Sequence, residues 1–234
     1  HGRRSRVAEG ERLDPLCRSR TVSDLARAIY PGEAVQTLDH FQRRLVNDLA
    51  RELAGIAGHL SNSQASLLRW MLGRFGLENL KVWVRAFLTG VSPAVARQHL
   101  ITSPGDLDLD PTAMAAPTTL EDLAKALAEG PLREALQAAA VRYRDQSRPF
   151  FFEAALDHAY LQELLARTER LPVEDHATIA PLVRQEADIF HLMLVTRGRF
   201  LDGLPPGQLL PFHVNGTNIS QKRFAGMLND PDMA

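Results

Sequence analysis

Two stretches of this chain repeat one another, and each repeat falls at a helix boundary. Thr21-Val22-Ser23-Asp24-Leu25-Ala26-Arg27-Ala28-Ile29 returns downstream as Thr119-Leu120-Glu121-Asp122-Leu123-Ala124-Lys125-Ala126-Leu127. Five of these nine positions are identical, and Val/Leu, Arg/Lys and Ile/Leu keep their chemistry at three more. Further on, Leu77, Leu80, Val82 and Arg85 correspond to Ile189, Leu192, Leu194 and Arg197, and Pro93 to Pro205, at a somewhat wider spacing. The difference asks only for a longer helix or connection in the second copy. Capped amphipathic helices resemble each other without common descent. Two matches in the same order, one at a helix start and one at a helix end, favour a duplicated helical unit.

Periodicity extends the helical reading along nearly the whole chain. Between Leu38 and Ile56, Leu45, Leu49, Leu53 and Ile56 form one apolar stripe. Ser61-Asn62-Ser63-Gln64 has the pattern of a capping box, so a helix is expected from about Ser63 to Leu88, stopped by Gly90 and Pro93. Ser92-Pro93 caps a short helix with proline in its first turn. Thr118-Thr119-Leu120-Glu121 opens another capped helix. Longer helices are expected over about Arg148–Arg170 and Glu174–Phe200, with Gly203–Gly207 ending the last. Alternating β-branched runs are missing, so few or no strands are expected. The segment Ser103–Pro117, rich in Asp, Gly and Pro, reads as a linker. The fold class is therefore all-α, with units at 1–115 and 116–219 and the start of a truncated third at 220–234. In that division a helix opening near Ile219 exposes apolar surface unless something covers it.

Charge removes several functions. The 27 basic and 28 acidic residues nearly cancel, whereas a general grip on nucleic acid needs a basic excess. Arg3, Arg4, Arg6, Arg12, Arg18 and Arg20 gather near the amino terminus among acidic residues, as on a solvated helix face. Cys17, the sole cysteine, can close no internal disulfide and fits a reducing compartment. No apolar run reaches the roughly 18 residues of a membrane-spanning helix. Asn215-Gly216-Thr217 and Asn218-Ile219-Ser220 match glycosylation acceptors, read here as chance because no secretory signal precedes them.

Catalytic patterns are missing too. There is no Gly-x-Gly-x-x-Gly or Walker loop, and Gly198, Gly203, Gly207 and Gly216 lie among prolines as turn residues do. Asp188 and His191 share a helix face near Glu186, half of a metal site, but no second pair complements them. A core role for His191 is favoured. Asp108 and Asp110 sit in the linker, where solvation accounts for them, and no serine occupies a strand-to-helix elbow. Trp70 and Trp83, with Leu80 and Met71 on the same helix, read as core. Of Phe150-Phe151-Phe152 at a helix start, at least one is expected to face outward, as an interface.

The stretch Leu67-Leu68-Arg69-Trp70-Met71-Leu72-Gly73-Arg74-Phe75-Gly76-Leu77-Glu78-Asn79-Leu80-Lys81-Val82-Trp83-Val84-Arg85-Ala86 resembles the C-subunit family of the V/A-type rotary ATPases, whose eukaryotic vacuolar members are the d subunits. Members carry an acidic or Asn residue on a long helix, then Asn-Leu, then Arg-Ala further along. Glu78, Asn79, Leu80, Arg85 and Ala86 fit. Val183–Leu192 repeats the theme and keeps Asp188, although His191 stands where the family carries Asn. The Asp24-Leu25-Ala26 helix and the Phe151-Phe152-Glu153 helix start also agree, so the likeness runs over about Asp24–Ser220.

The resemblance implies a funnel of three related helical units that sits on the ring of membrane-embedded proteolipid subunits and receives the central rotor shaft. Such a protein passes torque for ion (proton or sodium) transport or ATP synthesis, without active site, cofactor, metal or small-molecule substrate. It is cytoplasmic and peripheral to the membrane. Candidate partner-binding residues are Arg74, Glu78, Asn79, Arg85, Asp188, Arg197 and Arg199, the arginines meeting acidic groups of a partner helix. An equal alternative is that Arg85 and Arg197 pair with carboxylates inside their own unit. The rival classes are a free-standing helical-repeat adaptor and, further off, an all-α hydrolase or small-molecule binder, which would need a deep pocket with converging titratable groups.

Overall fold

The computed structural model describes residues 11, 13–32, 37–101, 107, 109–145 and 148–231. Among the described residues the fold is all-α, with no strand. Arg3, Arg4, Arg6, Arg12 and Asp108 lie outside the described residues. The chain divides into two compact units, His1–Arg51 and Glu52–Ala234.

The smaller unit holds α1 (Leu13–Cys17), α2 (Val22–Ile29) and most of α3 (Leu38–Ala57). Thr21 caps α2: its Oγ1 accepts the Asp24 N–H at 3.1 Å and donates to the Asp24 carboxylate at 2.7 Å. The core is small. Ala26 and Phe41 are buried, with Val22, Leu25 and Tyr30 against them and the Tyr30 and Phe41 rings edge to face. The stripe expected on α3 is not the buried face here, because Leu45 and Leu49 are exposed. Arg18 is exposed and pairs with Asp14 at 3.5 Å, as on a solvated face, and Cys17 is exposed.

The larger unit begins with α4 (Asn62–Thr89), somewhat longer than expected at both ends. Gln64 Oε1 accepts both the backbone N–H and the hydroxyl of Ser61. The helix ends where Gly90 turns left-handed at φ 69°, a conformation that costs glycine little. Then come α5 (Pro93–Gln98), capped by Ser92, and α6 (Pro111–Ala115), capped by Asp110. The expected linker is thus partly structured. Met114 of α6 is 3 % exposed and belongs to the core.

The next capped helix, α7 (Leu120–Lys125), starts slightly later than the sequence box suggests. Thr119 is the cap and Asp122 its partner, at 3.0 and 2.8 Å, the same two bonds that Thr21 and Asp24 make on α2. The capped start of the repeated nonapeptide is therefore one local structure formed twice, although α2 runs to Ile29 while α7 ends at Lys125, two residues before the matching Leu127.

Helix α8 (Pro131–Arg142) leads to α9 (Pro149–Thr168), which packs against α4, α8 and α10 (Val173–Met193). Enclosure of α9 explains why all three phenylalanines at its start are buried, none facing outward. Phe151 stacks on Tyr143 at the end of α8, and Phe150 lies under the backbone of Gly198. A Cβ on Gly198 would come within 2.9 Å of both Phe150 and Leu209, so this glycine serves close approach, not a turn.

After Met193 the helix continues to Leu201 as a π-helix, then α11 (Pro206–Leu209), a short 3₁₀ turn over Leu210–Phe212, and α12 (Gln221–Asn229). Helix α12 is no orphan: Phe224 and Leu228 are fully buried in the core of this unit. Trp70, Leu80 and Trp83 are core as expected, but Met71 is exposed.

Candidate functional site

Helix α4 carries Arg74, Glu78, Lys81 and Arg85 on one face, at intervals of three and four along the chain. Opposite them α9 presents Glu153 and Asp157, one turn apart. The two helices are joined rung by rung. Lys81 Nζ donates to Asp157 at 2.7 Å and to Glu78 at 3.0 Å, Arg74 meets Asp157 at 3.3 Å and Glu78 at 3.3 Å, and Arg85 pairs with Glu153.

These rungs are partly dry. The Lys81 and Asp157 side chains are only 6 % and 10 % exposed. Burial pushes the Asp157 carboxyl above the usual carboxylate range, although Lys81 and Arg74 pull it down. The Arg85 guanidinium is held above its usual value by its hydrogen bond to Glu153, against a smaller desolvation cost. At the ladder's edge a groove of about 160 Å³, bordered by Arg74, Asp157, Glu186 and Met193, falls below the usual size of a small-molecule pocket (about 300 Å³ and above). The arrangement is suited to locking two helices in register while the side chains of Arg74, Glu78 and Arg85 stay half-exposed.

The remaining candidates do different work. Asn79 is buried and brackets one residue of the returning chain: its Oδ1 accepts the Ile101 N–H at 2.8 Å and its Nδ2 donates to the Ile101 carbonyl at 2.6 Å. Asp188 accepts the Ile219 N–H at 3.0 Å and the Asn218 amide at 2.7 Å. His191 accepts the Val214 N–H at 2.9 Å. Arg197 lies over the Phe150 ring and 3.8 Å from Asp202, and Arg199 donates to the Leu228 carbonyl. Of the seven candidates, Arg74, Glu78 and Arg85 come together, and Asn79, Asp188 and Arg199 hold backbone. Arg85 and Arg197 both pair with carboxylates of this chain, but only Arg197, with Asp202, does so inside its own sequence unit, because Glu153 lies in the second unit and Arg85 in the first.

Sequence reasoning does not single out Lys81, Glu153 and Asp157 as members of the site. The spacing of Lys81 to Glu78 and of Glu153 to Asp157 is a visible signal, but the Lys81–Asp157 pairing across 76 residues is not.

The two clamps extend the sequence repeat. Asn79 and His191 stand in the same register as Leu80 and Leu192 and make the same acceptor contact. The amides they hold, Ile101 and Val214, are a single position further apart than that register. Gly90 and Gly203, both left-handed, and Pro93 and Pro206, both at the start of short helices, share this longer spacing. The partner of Pro93 is therefore Pro206 and not Pro205. The π-helix Leu194–Leu201 lies where the spacing changes and accounts for the extra residue, since each wider turn absorbs an insertion without ending the helix.

A long helix, a buried polar side chain that clamps its return, and a repeat of the same device describe a scaffold. Comparison with curated proteins gives no match. The family model that describes the ATP synthase (C/AC39) subunit does match, and it spans residues 1–234, so the chain belongs to the ATP synthase (C/AC39) subunit family.

Proposed function

We propose that this chain is a non-catalytic central-stalk adaptor of a V/A-type rotary ATPase, joining the rotor shaft to the membrane proteolipid ring and passing torque between them. The observation that carries the reading is the family match over the whole chain. The α4–α9 ladder supports it physically, because a torque adaptor must resist shear between its helices, and close-packed helices pinned by buried ion pairs do so. In this reading residues 1–115 and 116–219 are related units and 220–234 opens a third. The half-exposed guanidinium groups of Arg74, Arg85 and Arg197 meet acidic groups of the shaft. The protein works on the cytoplasmic side, peripheral to the membrane, and among the described residues no helix is long and apolar enough to cross one.

The test is capture of purified shaft subunits, and separately of the reconstituted ring, at low and high salt. Capture of either, weakened by salt and by Arg197→Glu with helix content unchanged, is the expected result. A full-length protein that captures neither at low salt ends the proposal.

A further inference from the structure

Three buried or half-buried histidines lie outside the ladder and join α9, α10 and the segment leading to α12. His191 on α10 is fully enclosed, and its ring lies face to face with that of His213, centroids 4.7 Å apart and planes within 3°. Phe224 of α12 packs against both rings, at 4.9 and 5.7 Å. Each imidazole is committed to backbone. His191 Nε2 accepts the Val214 N–H at 2.9 Å, so its neutral form carries the proton on Nδ1. His213 Nε2 donates to the Ile219 carbonyl at 2.9 Å, and His158 Nε2 on α9 donates to the His213 carbonyl at 3.2 Å.

On His191 the closed arrangement leaves no place for a further proton, because Nδ1 already carries one and Nε2 is engaged by the Val214 N–H. Among the described residues, the Nδ1 atoms of His191 and His213 are buried without a hydrogen-bond partner. A proton on His191 Nε2 would set N–H against the Val214 N–H, lose the clamp and lay a cation flat on a neighbouring imidazole in a dry site. Among the described residues no group of three or more His, Cys, Asp or Glu side chains gathers to hold a metal ion, so a metal does not stand in for that proton.

We propose that the His191–His213 stack is an acid-opened latch, and that proton uptake at His191 releases the segment Val214–Asn229 from α10.

The electrostatic surroundings support the direction. Burial, with smaller contributions from His213 and His158, holds His191 down at about 4, and Asp188 on the same helix only partly opposes this. Burial lowers His158 as well. From α12 the Phe224 ring faces the stack while Lys222 and Arg223 are exposed, and Arg199 of the π-helix is engaged by the Leu228 carbonyl. A histidine depressed in the closed state binds its proton only after opening. Closed-state stability is therefore complete above the usual value of about 6.5 and is lost progressively as pH falls from there toward about 4.

Native-state hydrogen exchange on the whole chain, corrected for the intrinsic pH dependence of amide exchange, reads this directly. Between pH 7.5 and 5.0 the opening constant at Val214, Ile219 and α12 rises about thirtyfold from His191 alone. The Ile101 amide, clamped by Asn79 without a titratable group, does not follow. His191→Asn gives Val214 the same kind of acceptor and removes most of the pH slope. An opening constant that is flat with pH in the parent protein, or an unchanged slope in His191→Asn, overturns the latch. Should that variant not fold, imidazole nitrogen shifts of the parent decide. A His191 that stays neutral to pH 5 while Val214 opens supports the latch, and one that titrates near 6.5 with the clamp closed overturns it.

Discussion

Helices α4 and α10 share one register, Leu80 of the first matching Leu192 of the second, yet they present opposite characters on the same faces. Arg74, Glu78 and Lys81 of the ladder stand where α10 has Glu186, Phe190 and Met193, and only Arg85 keeps its type, as Arg197. The apolar stripe is also inverted in use. Leu77 and Leu80 are fully buried, whereas Ile189 and Leu192 are 57 % and 45 % exposed. One sequence pattern thus serves as core in one helix and as surface in the other. Periodicity states which residues lie together on a helix, and the neighbouring element decides whether that face is inside. Helix α4 has its face covered by α9, with the charges placed where α9 can answer them.

The sharpest test replaces Lys81 by the residue that α10 carries at the same register. Lys81→Met leaves Asp157 buried with one fewer cation, and losing one partner of a buried pair costs about 3–5 kcal/mol. Urea unfolding followed by tryptophan fluorescence reports it, since both tryptophans are core residues of the larger unit. The loss should shrink from pH 7.5 to 5. Asp157 is already raised in the folded chain, and it rises further without Lys81, so the folded state takes up its proton first and regains stability as pH falls. Adding Asp157→Leu should recover most of the loss. A neutral Lys81→Met would mean that the ladder does not stiffen the α4–α9 contact.

The stripe gives the second test. Leu80→Ala opens a cavity in the core and should cost about 2–5 kcal/mol. Leu192→Ala, at the matched position, should stay within about 0.5 kcal/mol in the isolated chain. Equal effects would remove the contrast between the helices.

These contrasts also show what the sequence could convey. The ends of α4, α5 and α7 are legible because caps are local chemistry: Ser61 with Gln64, Gly90, Ser92 before Pro93, and Thr119 with Asp122. The course of α10 to the region of Phe200 is legible for the same reason, though not its change to a π-helix, which leaves the apolar pattern almost unaltered. Burial is much harder to read. The triple Phe150–Phe152 is enclosed from three sides by other elements, and the α3 stripe at Leu45 and Leu49 is exposed although its periodicity is regular. At the candidate site the residue types are visible, but the partners of Arg85, Lys81, Asn79 and Asp188 are 68, 76, 22 and 31 residues away. Pairings of that span depend on the completed packing.

The smallest expected effects come from one further matched contact, Gly76 with Leu107 and Asp188 with Ile219, each pair 31 residues apart in sequence. In the first, backbone meets backbone, and a Cβ on Gly76 would collide with the Leu107 carbonyl. In the second, a carboxylate bridges to the incoming N–H, so the segment is held by a hydrogen bond and not by close approach. Gly76→Ala should therefore cost about 1–3 kcal/mol through overpacking, despite the better helix propensity of alanine. Asp188→Asn keeps one oxygen for the Ile219 N–H, loses the second acceptor, and should cost about 1 kcal/mol by the same urea measurement. If Gly76→Ala instead stabilised the chain, Leu107 would have to move away from α4, and close approach to its backbone would not be what Gly76 serves.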